Sequence, residues 1–246
     1  MNIRYILCVF LNLIPLTLFA AGGNSHLLKA DIDSSDINSL QQGARIFVNY
    51  CMGCHSAKFM RYNRMGADLG ISDEVLKANF MFDTDKTGDL MTIAMSEEDG
   101  KQMFGGVSPP DLSVNARYRG ADWLYSYFMT FYTDPSRPVG VNNLVFKDTA
   151  MPHVLMDLQG LQKPVYKTDP DGNETNEIDR LELVAAGIQT EEEYKETVRD
   201  LVNFMVYLGE PIKLKRQQIG VYVLVFLFFL LGVFYLLKQE YWKDIH

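Results

Sequence analysis

The chain has 246 residues, 48% hydrophobic and 22% charged, with a formal net charge of −8. An acidic chain without a basic run is poorly suited to nucleic acid, whose backbone demands clustered lysine and arginine. The size and the apolar content fit one globular domain plus membrane-directed segments rather than a multidomain protein.

Arg4 precedes an apolar run from Tyr5 to Ala20 that ends in the small residues Ala20-Ala21-Gly22-Gly23. A short basic start, an apolar middle and a small-residue exit predict a signal peptide over residues 1–22, cleaved just after Ala20 or Gly22. Asn12 and Pro15 interrupt a run already short for a permanent anchor. Cleavage removes Cys8 and leaves Cys51 and Cys54 as the only thiols, which suits an oxidising compartment. Residues 23–36 are polar and aperiodic and predict an extended lead-in.

Leu40, Ala44, Phe47, Val48 and Cys51 then recur at helical spacing, with Gly43 on the same side, where it would let another helix come close. This helix runs directly into Cys51-Met52-Gly53-Cys54-His55. A C-x-x-C-H run reads as a c-type haem attachment site: each thiol adds to one vinyl group and the histidine ligates the iron. A thioredoxin-like pair does not require the histidine, and a zinc site needs a second Cys or His pair.

A short helix is predicted from Ser72, with Asp73 and Glu74 in its first turn, whereas residues 81–103 show no readable period. Gly105-Gly106 and Val107-Ser108-Pro109-Pro110 mark an irregular loop. The aromatic-rich stretch Ala121 to Tyr132 predicts a helix ending at Thr133-Asp134-Pro135. Further on, Met151 precedes Pro152, which stiffens its approach and makes it a candidate sixth ligand for a haem iron; His153 and His26 are competitors. Residues 169–196 hold ten acidic residues against Arg180 and Lys195, a pattern usual for solvated surface. Residues 21–216 as a whole carry 20 basic and 29 acidic residues, which suits steering of a basic partner.

Thr190, followed by Glu193, is a capping box for a last helix whose apolar stripe is Tyr194, Val198, Leu201, Val202, Met205 and Leu208. Gly209-Glu210-Pro211 stops it. Ile219 to Leu237 is free of charge and, as a helix, spans roughly 28 Å, which predicts a transmembrane segment over residues 217–238. Lys213, Lys215 and Arg216 precede it and only Lys238 and Lys243 follow, so the positive-inside rule advises weakly. The export signal decides the orientation: residues 23–216 outside, residues 239–246 in the cytoplasm.

The motif at 51–55, Pro109-Pro110-Asp111-Leu112-Ser113, Arg117-Tyr118-Arg119-Gly120, Asp122-Trp123-Leu124-Tyr125, Arg137-Pro138-Val139-Gly140 and Met151-Pro152-His153, followed by one terminal anchor, resemble the cytochrome c1 family. The wording of Asn142-Asn143-Leu144-Val145-Phe146 and of His153-Val154-Leu155 is similar to its proteobacterial branch. The resemblance covers nearly the whole exported chain. It implies an all-α, class I cytochrome c-like domain with loop insertions and one C-terminal transmembrane helix. It also implies one covalent haem c held by Cys51 and Cys54, with His55 and Met151 on the iron. Arg117 takes the family position that pairs with a haem propionate, with Arg119 as a rival, and Pro110 the position that packs on the ring. The implied function is one-electron transfer from the Rieske iron–sulfur protein to a cytochrome c acceptor, with no substrate bond chemistry of its own. The setting would be a dimeric respiratory complex with cytochrome b, in contact with lipid, in the bacterial inner membrane with the haem domain in the periplasm. A free-standing tethered cytochrome c feeding a terminal oxidase is the alternative, and a haem peroxidase or gas sensor with a vacant sixth site is a further one.

Overall fold

A computed structural model of the protein describes residues 27–243. The predicted signal segment, Cys8, His26 and the last three residues lie outside that range. The lead-in is extended and pinned to the body. The Leu28 N–H donates to Ser126 Oγ (2.7 Å), the Ala30 N–H donates to Asp122 (3.0 Å), and Lys29 pairs with the same carboxylate.

Helix α1 (Ile37–Ile46) begins at Asp36, whose carboxylate accepts from the N–H groups of Asn38 and Ser39 and so satisfies two of the orphan donors of the first turn. It passes without a break into a π-helical turn, Phe47–Cys51, closed by the Met52 N–H on the Phe47 carbonyl (3.1 Å). Helix α8 (Glu191–Gly209) starts on the predicted capping box at Thr190 and buries the predicted stripe. Between the two helices come the short α2 (Tyr62–Leu69), α3 (Asp73–Asn79), α4 (Glu97–Met103), α5 (Asn115–Arg119), α6 (Ala121–Met129) and α7 (Met156–Gln159).

Helices α1 and α8 cross at Gly43. A Cβ placed there would sit 2.1 Å from the Asp200 carbonyl oxygen and 2.6 Å from Phe204 Cβ, so only glycine permits the approach. Around the crossing Phe47 meets Phe204 with ring centroids 5.4 Å apart. The Ser39 hydroxyl donates to Asp200 (2.7 Å), and Asn203 Nδ2 donates to Ser39 and to the Asp33 carbonyl. Phe47, Leu201, Val202 and Phe204 are fully buried, each worth ~1.5–3 kcal/mol of apolar burial. Helix α6 joins the same core, with Tyr194 donating its hydroxyl proton to the Phe128 carbonyl (2.9 Å).

Three antiparallel ribbons limit the all-α expectation, which holds in part: about 47% of the described residues are helix and 16% strand. Strand β1 (Ala57–Arg61) pairs with β2 (Leu90–Met91), β3 (Phe131–Thr133) with β4 (Val141–Asn143), and β5 (Gly160–Thr168) with β6 (Glu174–Ala186). The aromatic helix therefore stops at Met129, earlier than predicted. Thr130 turns its hydroxyl back to the Ser126 carbonyl, and Phe-Tyr-Thr, a strand-favouring triplet, pairs with β4. The β5–β6 hairpin takes up most of the acidic run. No residue from 161 to 186 is buried, so no apolar alternation marks these strands in the sequence. Three of its six carboxylates are answered locally: Glu182 by Lys163 and Arg180, Glu177 by Lys167, and Asp179 by Arg180.

Helix α9 (Lys213–Tyr241) contains the predicted span, has no buried residue, and is long and apolar enough to cross a membrane.

Candidate functional site

The π-helical turn brings Cys51 to the end of α1 with its side chain buried, while Cys54 and His55 are half-exposed. The Cys51 carbonyl accepts from the N–H of Cys54 (3.1 Å) and of His55 (2.9 Å), so residues 51–55 form one tight turn. Burial, with Cys54 adding, pushes the Cys51 thiol up to about 12. Redox-active C-x-x-C pairs work by the opposite shift, a thiolate stabilised at a helix N-terminus, whereas this pair follows a helix C-terminus. Among the described residues no three His, Cys, Asp or Glu side chains gather as a metal site, so the zinc reading finds no further ligands.

His55 Nδ1 lies 2.7 Å from the Pro110 carbonyl oxygen. That oxygen can only accept, so Nδ1 carries the proton and Nε2 keeps its lone pair when the ring is neutral. Burial lowers the His55 pKa, with the Pro110 carbonyl and Asp111 opposing, which favours the neutral ring that ligates a metal. The proline loop is stitched to the motif along its length. Asp111 accepts from the Lys58 N–H (2.9 Å), Ser113 Oγ accepts from the Phe59 N–H (3.1 Å), and the Leu112 N–H donates to the Ser56 carbonyl (2.8 Å). Helix α4 backs the loop at Gly100, where a Cβ would meet Ser108 Oγ at 2.7 Å. A cleft of about 440 Å³ opens beside Cys54, lined also by Ser56, Ile93, Met95, Pro109 and Pro110. Two thiols at haem-vinyl spacing and an imidazole with one free nitrogen fit a covalent haem, and the cleft opens beside one of the thiols, Cys54.

Met151 is half-buried, packed against the core, and outside the cleft; its N–H donates to Thr149 Oγ1 (3.3 Å). Its competitor His153 is buried and stacks on Phe131, centroids 4.8 Å apart and planes 5° from parallel. Burial pushes the His153 pKa down to about 4, with Gln159 its polar neighbour. The surroundings of His153 are those of a neutral core histidine. Arg117, on α5, is exposed, and its guanidinium makes no hydrogen bond or ion pair among the described residues. Arg216 and, less, Arg117 hold the Glu210 carboxyl below its ordinary value. The rival Arg119 lies over the rings of Trp123 (4.6 Å), Tyr118 (5.1 Å) and Phe146 (5.4 Å), an aromatic cage that occupies it.

Residue-level reading missed Met95, which lies in the stretch without a period, and the Asp111 and Ser113 side chains that tie the loop down. An Asx-type signal at Asp111, whose carboxylate also accepts from the Ser113 N–H (2.9 Å), was available.

Comparison with known sequences gives one consistent neighbourhood. A profile described as "Cytochrome C1 family" matches residues 28–163 and 178–245. A cytochrome c1 of Allochromatium vinosum is 50% identical over 245 residues, covering 99% of each chain. A protein named ammonia monooxygenase gamma subunit, from Nitrosomonas europaea, is 49% identical over 244 residues with the same coverage. A cytochrome b/c1 of Bradyrhizobium diazoefficiens is 22% identical over 91% of this chain and 36% of its own length.

Proposed function

Since the chain belongs to the cytochrome c1 family, we propose that it is the haem c subunit of a ubiquinol–cytochrome c reductase, passing single electrons from a Rieske iron–sulfur protein to a cytochrome c. Haem c, when bound, supplies a one-electron iron couple. The chain's own residues attach it, orient it and leave an edge open to partners. Cys51 and Cys54 form the thioethers. His55 would offer Nε2 to the iron, since the Pro110 carbonyl holds its proton at Nδ1 and orients the ring. Pro110, Arg117 and Met151 would complete the holding set, Pro110 by apolar contact, Arg117 by its charge and Met151 as a thioether ligand, which would supply a potential in the range of a carrier. No bond in a substrate is made or broken at this site.

The observation that carries the reading is the 2.7 Å contact between His55 Nδ1 and the Pro110 carbonyl, a second-shell bond of the kind that sets a ligating imidazole. In this proposal an N-terminal signal over residues 1–22 exports residues 23–216 to the periplasm. Helix α9 tethers them to the inner membrane beside cytochrome b, within a dimeric complex.

Mild detergent extraction followed by addition of a quinol tests the proposal. Quinol should reduce the haem only when a b-type cytochrome and a Rieske protein copurify. A haem protein that arrives alone and ignores quinol would instead be a tethered carrier. Copurification with oxygenase subunits would favour the role that the Nitrosomonas protein's name describes.

A further inference from the structure

Met151 ends a loop held by side chains from β4, the β3–β4 connection and α6. Asn143, 1% exposed on β4, donates through Nδ2 to the Tyr127 carbonyl (2.7 Å) and accepts through Oδ1 from the N–H groups of Val145 (2.9 Å) and Phe146 (3.1 Å). Asn142, beside it and also buried, accepts from the Asp148 N–H (2.8 Å) and donates to the Asp134 carboxylate (2.9 Å). From the β3–β4 connection Arg137 reaches the same residue twice, through Nη2 to the Asp148 carbonyl (3.1 Å) and through Nη1 to its carboxylate (3.1 Å). Thr149 then shares a buried hydrogen bond with the Tyr127 hydroxyl (2.8 Å) and accepts from the Met151 N–H.

These contacts accompany a left-handed φ of +63° at Asp148, a conformation uncommon for residues with a side chain but more accessible to aspartate than to most. Four bonds fix Asp148 and Thr149, three and two residues before Met151: two on the Asp148 backbone, one on its carboxylate and one on the Thr149 hydroxyl. All of them originate on the β3–β4 ribbon or on α6. A loop that merely joined two elements would not need a buried amide pair and a bidentate arginine.

We propose that Arg137, Asn142 and Asn143, together with Tyr127 and Thr149, are positioning residues that clamp this loop so that Met151 is presented to the haem iron as its sixth ligand. The proposal rests on the assignment of Met151 as that ligand. A thioether binds iron weakly, and its effective strength scales with the fraction of time the loop is in the competent conformation. The clamp raises that fraction by removing alternatives. The hydrogen bonds that the sequence spends on the loop are therefore read out at the metal and not only in stability.

The test uses the full chain in detergent with its haem attached. Arg137, whose side chain is 29% exposed, allows a variant that keeps the core intact. Arg137→Ala should raise the apparent affinity of the reduced haem for carbon monoxide about tenfold, equivalent to about 1.4 kcal/mol. It should also weaken the far-red charge-transfer band of the ferric methionine-ligated form, and Arg137→Lys should restore part of both. Asn143→Ala should go further in the same direction. Asn203→Ala, at the distant α1–α8 crossing, should lower the melting temperature yet leave both haem signals as in the wild type. If Arg137→Ala and Asn143→Ala exclude carbon monoxide and keep the band as the wild type does, the clamp is structural only and the proposal is overturned. If the wild type itself binds the gas readily, the methionine assignment fails, and the clamp's purpose with it.

Discussion

His55 is held by one side-chain hydrogen bond, and its partner is a backbone carbonyl rather than a side chain. This explains what was legible at the site. Cys51, Cys54 and His55 could be read because their chemistry lies in the side chains and in a spacing of a few residues. The acceptor that orients the histidine could not, because every residue has a carbonyl and only the fold brings that of Pro110 within reach. Met151 was singled out by its proline, while Met95, in a stretch with no period, was passed over although it lines the cleft beside Cys54. The two make different predictions. Met151→Leu should remove the far-red band and let the reduced protein bind carbon monoxide, whereas Met95→Leu should change neither. The reverse pattern would move the ligand to Met95.

Among the elements, those whose signals are local were readable. Ser72 caps α3 through its hydroxyl, Thr190 and Glu193 form the reciprocal box of α8, and the stripe from Leu40 to Cys51 is helical throughout, although its last turn widens to a π-turn. The capping box of α4, Ser96 with Asp99, lay in the stretch where no apolar period drew attention to it. The ribbons were missed for a different reason: β1–β2 and β3–β4 are short, and β5–β6 lies wholly on the surface, so the alternation that betrays a strand is absent. Gly43 is the element-scale feature with the sharpest consequence. Gly43→Ala puts a methyl group into the backbone of α8 at Asp200, and separating the helices would open the core around Phe47 and Phe204. The loss should be ~3 kcal/mol or more, beyond the small gain that alanine normally brings to a helix interior. Thermal melting followed by circular dichroism would measure it; a rise in melting temperature would mean that the helices do not meet there.

For the molecule as a whole, the β5–β6 hairpin is tied to the body at its base, where Gln162 donates to the Met129 and Phe131 carbonyls, and is exposed beyond it. Its tip, residues 164–177, falls between the two segments that match the family, holds four carboxylates and one lysine, and contains no buried residue. Replacing those residues by a short turn should leave the haem spectrum and the melting temperature unchanged. Electron transfer to a basic cytochrome c should slow and lose part of its salt dependence, because an exposed acidic surface acts within a Debye length of ~10 Å. An unchanged rate would take docking away from the hairpin. The opposite extreme of connectivity is the α1–α8 crossing, where the Ser39–Asp200 bond joins positions 161 apart in the chain. As the polypeptide emerges N-terminus first, the thiol-bearing end of α1 is made early, but α8, which crosses α1 at Gly43, is made late. Cys51 is 4% exposed in the folded domain, whereas Cys54 is half-exposed. If Cys51 carries the proposed thioether, attachment would have to precede closure of the crossing, so the domain would fold around a cofactor already in place.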